Sequence, residues 1–319
     1  MSLRLEMLQV ARLAPKLLGE SAHLVRRFLI RQQNEDGGFK DRTGRSDLYY
    51  TVFGLDALAA LEVQSPKPDA SSPDTLERLA RTSAYLQGFG DGENLDFVHL
   101  CCLARAWSAT TAGMAGLPEL CRAPKEILRR IESFRSDDGG YHLALGSDVG
   151  TAYGCFLALG AYQDLKAKLP EPILLAQCLR SLETPDGAWI NERHPQQAIG
   201  HLPSAIGSTN ATAAAVTLLR QFNLPVSRAA ADWLLARCHP QGGFLAAPQA
   251  PIPDLLSTAT ALHALAGMEV DFAPIKESCL DFVDSLWTNE GGFHGNWSDD
   301  ALDCEYTFYG LLALGHLSL

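Results

Sequence analysis

The chain has 319 residues, 47% of them hydrophobic and 20% charged, a composition that describes a globular protein with enough apolar side chains for a large core. Its net charge is −11 and its pI about 5.3, with no run of five or more like charges, which excludes nucleic acid and anionic membrane surfaces as partners. No apolar stretch reaches 18 residues, so no integral membrane segment is expected.

The chain opens on "MSLRLEMLQVARLAPKLLGE". This stretch lacks the apolar core and small-residue cleavage site of a signal peptide and reads as an amphipathic helix, consistent with a cytoplasmic protein. From there the chain repeats itself. The amphipathic run "SAHLVRRFLIRQQ" enters the turn "EDGGF", ending at Phe39, and is followed by the apolar run "SDLYYTVFGLDAL". The turn is degenerate near residue 89 ("GFGDGENLDF") and returns as "DDGGY" (Tyr141), "PDGAW" (Trp189), "QGGF" (Phe244) and "EGGF" (Phe293). After the turns, apolar runs start at Asp47, Asp96, Asp148, Ser208, Asp254 and Asp303, about fifty residues apart. Asp or Ser at such a start is a good N-cap, accepting from the free N–H groups of the first turn.

Each unit therefore reads as helix, Gly-aromatic turn, helix. The helix before the turn carries charge on one face, as an outer helix does, and the helix after it is apolar nearly all round, as an inner one does. Six such hairpins can close on themselves. The expectation is an all-α (α/α)6 toroid, one domain over residues 1–319, with little or no strand. The Gly-turn aromatics read as packing between hairpins rather than as a cation-stabilising cage, because they recur so regularly. The eight cysteines (Cys101, Cys102, Cys121, Cys155, Cys178, Cys238, Cys279 and Cys304) show no CxxC and sit mostly among apolar neighbours, so they read as reduced, buried thiols.

Gly-aromatic turns followed by the D-x-Y-Y-T helix start resemble the repeat of the prenyltransferase and squalene-cyclase superfamily, in five good copies and one poor one. The resemblance implies the toroid and an active site in its cavity, at the end where the inner helices start. It does not imply one reaction, because the same toroid serves protein prenyltransferase β subunits, terpene cyclases and non-enzymes. The "GCGEQ" stretch of the thioester members is absent.

Protein prenyltransferases hold zinc with an Asp, a Cys two residues later and a His from the next repeat. Here the Cys position is filled by Tyr49, Val98, Gly150, Asn210, Leu256 or Glu305. The repeats that should carry the metal offer Asp254, Leu256 and Tyr306, so two of three ligands are replaced and zinc is not expected. The nearest match is the first repeat. There Lys40, Arg42 and Arg45 precede Asp47, Tyr50 takes the place of the family's diphosphate-binding Tyr, and His99 takes that of its ligating His. Guanidiniums and a phenol at a helix N-terminus suit a diphosphate, with Mg as a companion cation. The alternative is that these are solvated turn charges beside an ordinary cap, and that His99 is a core or cavity-lining histidine rather than a metal ligand. Tyr49 stands where the Cys would.

The class II cyclases, which protonate a double bond with the middle acid of D-x-D-D-T-A, imply a second site. "DCEYTF" puts Asp303 first, Glu305 at the acid position, Tyr306 in place of the last Asp and Thr307 in register, with Asp299 and Asp300 nearby. The alternative is a polar first helical turn without chemistry. The long fourth turn, with His194 and His201, is either a lid or a plain loop. The leading expectation is an enzyme that binds a small-molecule isoprenoid, a prenyl diphosphate or polyprene, in a central apolar cavity; its rivals are a non-catalytic toroid binding a lipid or protein, and a zinc-dependent prenyltransferase β subunit awaiting an α subunit.

Overall fold

The computed structural model describes residues 1–62, 73–113, 124–193 and 206–319. Cys121, His194 and His201 lie outside the described residues. In chain order the helices are α1 (Leu3–Ala11), α2 (Pro15–Leu18), α3 (Ala22–Gln32), α4 (Leu48–Leu61), α5 (Pro73–Gln87), α6 (Phe97–Gly113) and α7 (Pro124–Glu132). They continue as α8 (Ala152–Asp164), α9 (Pro172–Ser181), α10 (Thr209–Gln221), α11 (Arg228–Leu235), α12 (Leu255–Gly267), α13 (Ala273–Leu286) and α14 (Cys304–Leu317). The strands are two-residue pieces. β1 (Phe39–Lys40) pairs antiparallel with β2 (Ser46–Asp47), Phe39 opposite Asp47. β3 (Phe244–Leu245) pairs likewise with β4 (Pro253–Asp254), Phe244 opposite Asp254.

The first twenty residues are not one helix. α1 ends at Ala11, and Pro15 opens α2 at its first turn. Proline has no N–H to donate to the carbonyl of Ala11, and its ring clashes there, so it can start a helix but not continue one. The inner-helix starts behave as capping chemistry requires at five of six positions. Asp47, Ser208, Asp254 and Asp303 each accept a backbone N–H of the turn they open, and Asp96 accepts from His99. Asp148 does not cap. The α8 cap is Thr151, whose hydroxyl accepts from Gly154, because Asp138 takes the Gly150 N–H and holds that segment out of the helix.

By its contacts the chain divides into two compact units: Met1–Ile131 with Gly160–Ala167 and Ser285–Leu319, and Glu132–Leu159 with Lys168–Asp284. In the first, α4 packs against α1, α3, α6 and α14, so the last helix flanks the first inner one. α4 is buried nearly all round, whereas α3 buries only Val25, Phe28 and Leu29. In the second, α10 packs on α12 and on α11.

A repeated turn builds both units. Phe39, Tyr141, Trp189, Phe244 and Phe293 are all buried, each opposite a residue at the end of the preceding helical run. The N–H of Phe39 donates to the Thr51 hydroxyl (2.9 Å), which itself donates to the carbonyl of the cap Asp47 (2.6 Å). Thr258 does the same between Phe244 and Asp254. The Thr of the repeat thus ties turn to helix. Gly37, at φ +95°, presses the turn onto α5; a Cβ there would lie 2.3 Å from the Arg81 carbonyl carbon. Gly291, at φ +96°, does so against Leu24 of α3, which joins the last turn to the first outer helix inside one unit.

Candidate active site

The starts of α4, α6 and α14 come together in the first unit. Glu305, on the first turn of α14, accepts a 2.6 Å hydrogen bond from the Tyr49 hydroxyl, on the first turn of α4. Burial pushes the Glu305 carboxyl up, the neighbouring Asp303 adds to it, and the opposing Tyr49 bond and Arg42 leave it raised to about 7. It is therefore a carboxylic acid that titrates near neutrality, well above the usual carboxylate range. Around it stand aromatic rings. Tyr49 meets Tyr50 edge-on at 5.6 Å and Phe53 at 5.0 Å, and Phe53 meets Phe308 at 5.8 Å and Tyr309 at 5.4 Å.

Asp303 accepts the Tyr306 N–H as the α14 cap and accepts from Arg42 Nε at 2.8 Å. Its pKa is raised because burial outweighs both bonds. Arg42 also holds Asp299 through two nitrogens (2.8 and 3.3 Å) and lies over the Tyr306 ring at 5.4 Å. Burial opposes its charge, but its two carboxylate partners raise its pKa. Tyr50 is raised to about 12, first by burial and then by Asp303 and Glu305.

The three basic residues of the first turn bond to different partners. Lys40 donates to the Arg31 carbonyl (2.8 Å), and Arg45 is 82% exposed with Thr43 and Asp41 as partners. Of the three, Arg42 is the one hydrogen-bonded to a helix-start acid, Asp303, and it also holds Asp299. The Arg42 guanidinium is thus already matched by two carboxylates, while Lys40 and Arg45 have other partners.

His99 bridges Asp47 (Nε2 to Oδ2, 3.2 Å) and Asp96 (Nδ1 to Oδ1, 2.9 Å). The Asp47 bond is the chief cause of its pKa rising to about 9, with burial opposing and Asp96 adding. Asp47 has two duties. It caps α4 through Tyr49 and Tyr50 and pairs with His99, and although burial would raise it, these bonds hold it below the usual carboxylate range. Among the described residues no three His, Cys, Asp or Glu side chains are arranged to hold a metal ion.

A second cluster was not singled out from the sequence. Asp56, fully buried on α4, accepts Arg4 Nε from α1 (2.7 Å) and Arg105 Nε and Nη2 from α6 (2.9 and 2.6 Å). Burial would raise Asp56, but the two guanidiniums hold it low. Asp164, at the end of α8, is also buried and is raised to about 6 by that burial. Arg105 lies 5.6 Å from the Phe53 ring and 5.9 Å from the Phe308 ring. The available signal was a lone Asp in "VFGLDALAAL" and a lone Arg in "CCLARAW".

Repeated hairpins whose inner helices start on capping acids define a class before they define a reaction. The chain matches the prenyltransferase alpha-alpha toroid domain over residues 8–102 and 211–318, more than half its length, and it belongs to that family. Its fold class is the all-α toroid. Among solved structures it is similar to the type II terpene cyclase MstE from Scytonema in complex with merosterolic acid A. The identity is 15%, with 95% of this chain and 97% of that one covered and a TM-score of 0.61. It is also similar to protein geranylgeranyltransferase-I of Candida albicans complexed with GGPP (12% identity, 93% and 90% covered, TM-score 0.61). An α-1,6-mannanase of Salegentibacter is as near in shape (14% identity, 94% and 98% covered, TM-score 0.61). These likenesses show the fold. No curated protein sequence matches the chain. No described helix is long and apolar enough to cross a membrane.

Proposed function

We propose that this chain is an isoprenoid-handling enzyme of the cyclase kind, in which Glu305 protonates a double bond of a prenyl chain. The observation that carries this reading is the Glu305 carboxyl, raised to about 7 and held at 2.6 Å by Tyr49 among aromatic rings. The carboxyl proton passes to one alkene carbon, forming a C–H bond, and the other carbon becomes cationic. Attack by a second double bond closes a ring. Loss of a proton to a base or water ends the sequence, so the reaction is an isomerisation and needs no co-reactant. Tyr49, Tyr50, Phe53 and Tyr309 offer π-faces to the cation. Asp303 and Arg42 position α14, and with it Glu305. Asp47 and His99 brace the start of α4, while Lys40, Arg45 and Tyr306 take no direct part.

The similarity to a terpene cyclase also solved with geranylgeranyl dihydroxybenzoate supports a prenyl substrate. The test is incubation with farnesol, geranylgeraniol, geranylgeranyl diphosphate and squalene, with mass-spectrometric search for a cyclic isomer. Product should form with wild type and fall by at least about 10²-fold in Glu305→Gln. Absence of both product and binding for all four would end the proposal and leave the non-catalytic reading.

A further inference from the structure

In the second unit, the turn between α11 and β3 sits directly on α13. A Cβ at Gly242, φ +85°, would overlap the Ser278 carbonyl and come within 2.9 Å of the Cys279 nitrogen. One at Gly243 would lie 2.6 Å from the Phe282 ring. Cys238 starts this turn, opposite Phe244. The packing brings two thiols together: Cys238 donates to the Cys279 sulfur, which also accepts the Gly243 N–H. The Cys238 S–H has a second acceptor in the His239 carbonyl, at 3.7 Å. Donating to Cys279 pushes the Cys238 thiol up, and burial adds to it. Accepting that bond lowers Cys279, with burial opposing and the Gly243 N–H helping. Of the two sulfurs, Cys279 is therefore the one that holds a thiolate.

A second pair, Cys155 of α8 and Cys178 of α9, makes the same kind of contact, but both of its thiols are buried. Among the described residues, Cys238 is the free cysteine that is not buried. Reactivity of a thiol needs both a thiolate and access, and the Cys238–Cys279 pair combines them.

We propose that Cys238 and Cys279 form a reversible oxidation site, which a small-molecule disulfide converts into a bond joining the turn to α13. Cys238 passes its proton to Cys279 as its sulfur attacks one sulfur of the small disulfide. That S–S bond breaks and a thiolate leaves. The departing thiolate takes the proton from Cys279, whose sulfur then attacks Cys238 and expels the second thiolate. The second thiolate picks up from water the proton that Cys279 had released. The two cysteines together lose two electrons, and the small disulfide gains them and becomes two thiols. Excess dithiol reverses the exchange. The bond holds the turn that carries Phe244 against the outer helix.

The test is incubation of the folded protein with oxidised glutathione, followed by peptide mapping by mass spectrometry without reduction. Wild type should lose two hydrogens in a Cys238–Cys279 cross-link and regain them with dithiothreitol. Cys279→Ser should stop at the first step, with one glutathione held on Cys238. Cys238→Ser should yield neither product at these positions. Cys155 and Cys178 should remain thiols throughout, because no oxidant reaches them. Circular dichroism checks that both serine variants are folded, and the wild-type map decides the proposal without them. A wild-type map with no Cys238–Cys279 cross-link, or with glutathione resting on Cys238 while Cys279 stays free, would overturn it. So would a cross-link that forms at Cys155–Cys178 first, since access would then not select the pair.

Discussion

Replacing Glu305 by Gln should make the protein more stable at pH 8 and leave it unchanged at pH 4. The carboxyl has an ordinary value of 4.5 and about 7 in the folded chain, with burial the main cause. Below 4.5 the folded and unfolded chains both hold the proton, and ionisation contributes nothing. Above 4.5 the unfolded chain releases the proton while the folded chain keeps it. Wild-type stability is therefore lost as pH rises through that window, and the loss is complete once pH passes about 7. At about 1.4 kcal/mol per pH unit the deficit reaches about 3 kcal/mol at pH 8. Glutamine has no proton to lose and can still accept from Tyr49, so it escapes that deficit. Unfolding entropy for 319 residues is about 0.7 kcal/mol/K, which converts the difference to about 4 °C in Tm. Differential scanning calorimetry of the two proteins at pH 4, 6 and 8 measures it. Equal Tm values at pH 8, or a variant less stable there, would refute a raised Glu305 and with it the acid that the proposed reaction needs.

Three further outcomes follow from the geometry. Asp56→Asn strands two buried guanidiniums and should cost about 3–5 kcal/mol in urea unfolding; a loss under 1 kcal/mol would mean that Arg4 and Arg105 reach water. The His99 imidazole should titrate near pH 9 by NMR and move toward its ordinary value in Asp47→Asn. Because its folded pKa lies above 6.5, the stability it contributes is present below that pH and lost through about 9, and a wild-type titration near 6.5 would contradict the bridge to Asp47 and Asp96. Thr51→Val leaves the buried Phe39 N–H without its acceptor and should cost about 1–3 kcal/mol, whereas a neutral result would show that the hydroxyl is not what ties turn to helix.

The repeat was legible because its causes are local. An aromatic after two glycines and an acid before an apolar run each act within a few residues, and the caps at Asp47, Asp254 and Asp303 fall where those signals stand. Asp148 misled because Asp138, ten residues earlier, holds Gly150 and moves the cap to Thr151. The site was only half legible. Glu305 stood out by register, but its partner Tyr49 lies 256 residues away. The partners of Arg42 are as remote, at 257 and 261 residues, so two acids that commit this arginine could not be assigned from the "KDRTGRSD" stretch. Arg105 and Asp56 were visible as lone charges in apolar helices, yet only packing reveals that they neutralise one another.

The pairing of α4 with α14 carries a consequence for biosynthesis. At about 5–20 residues per second, the 256 residues between Tyr49 and Glu305 take a ribosome about 13–51 seconds to add. Until α14 is made, α4, apolar on nearly every side, lacks one of its four helical neighbours. The nascent chain thus has a long window in which a chaperone or aggregation can capture the first hairpin, and a chain released before residue 304 lacks both the acid and the helix that would shield α4.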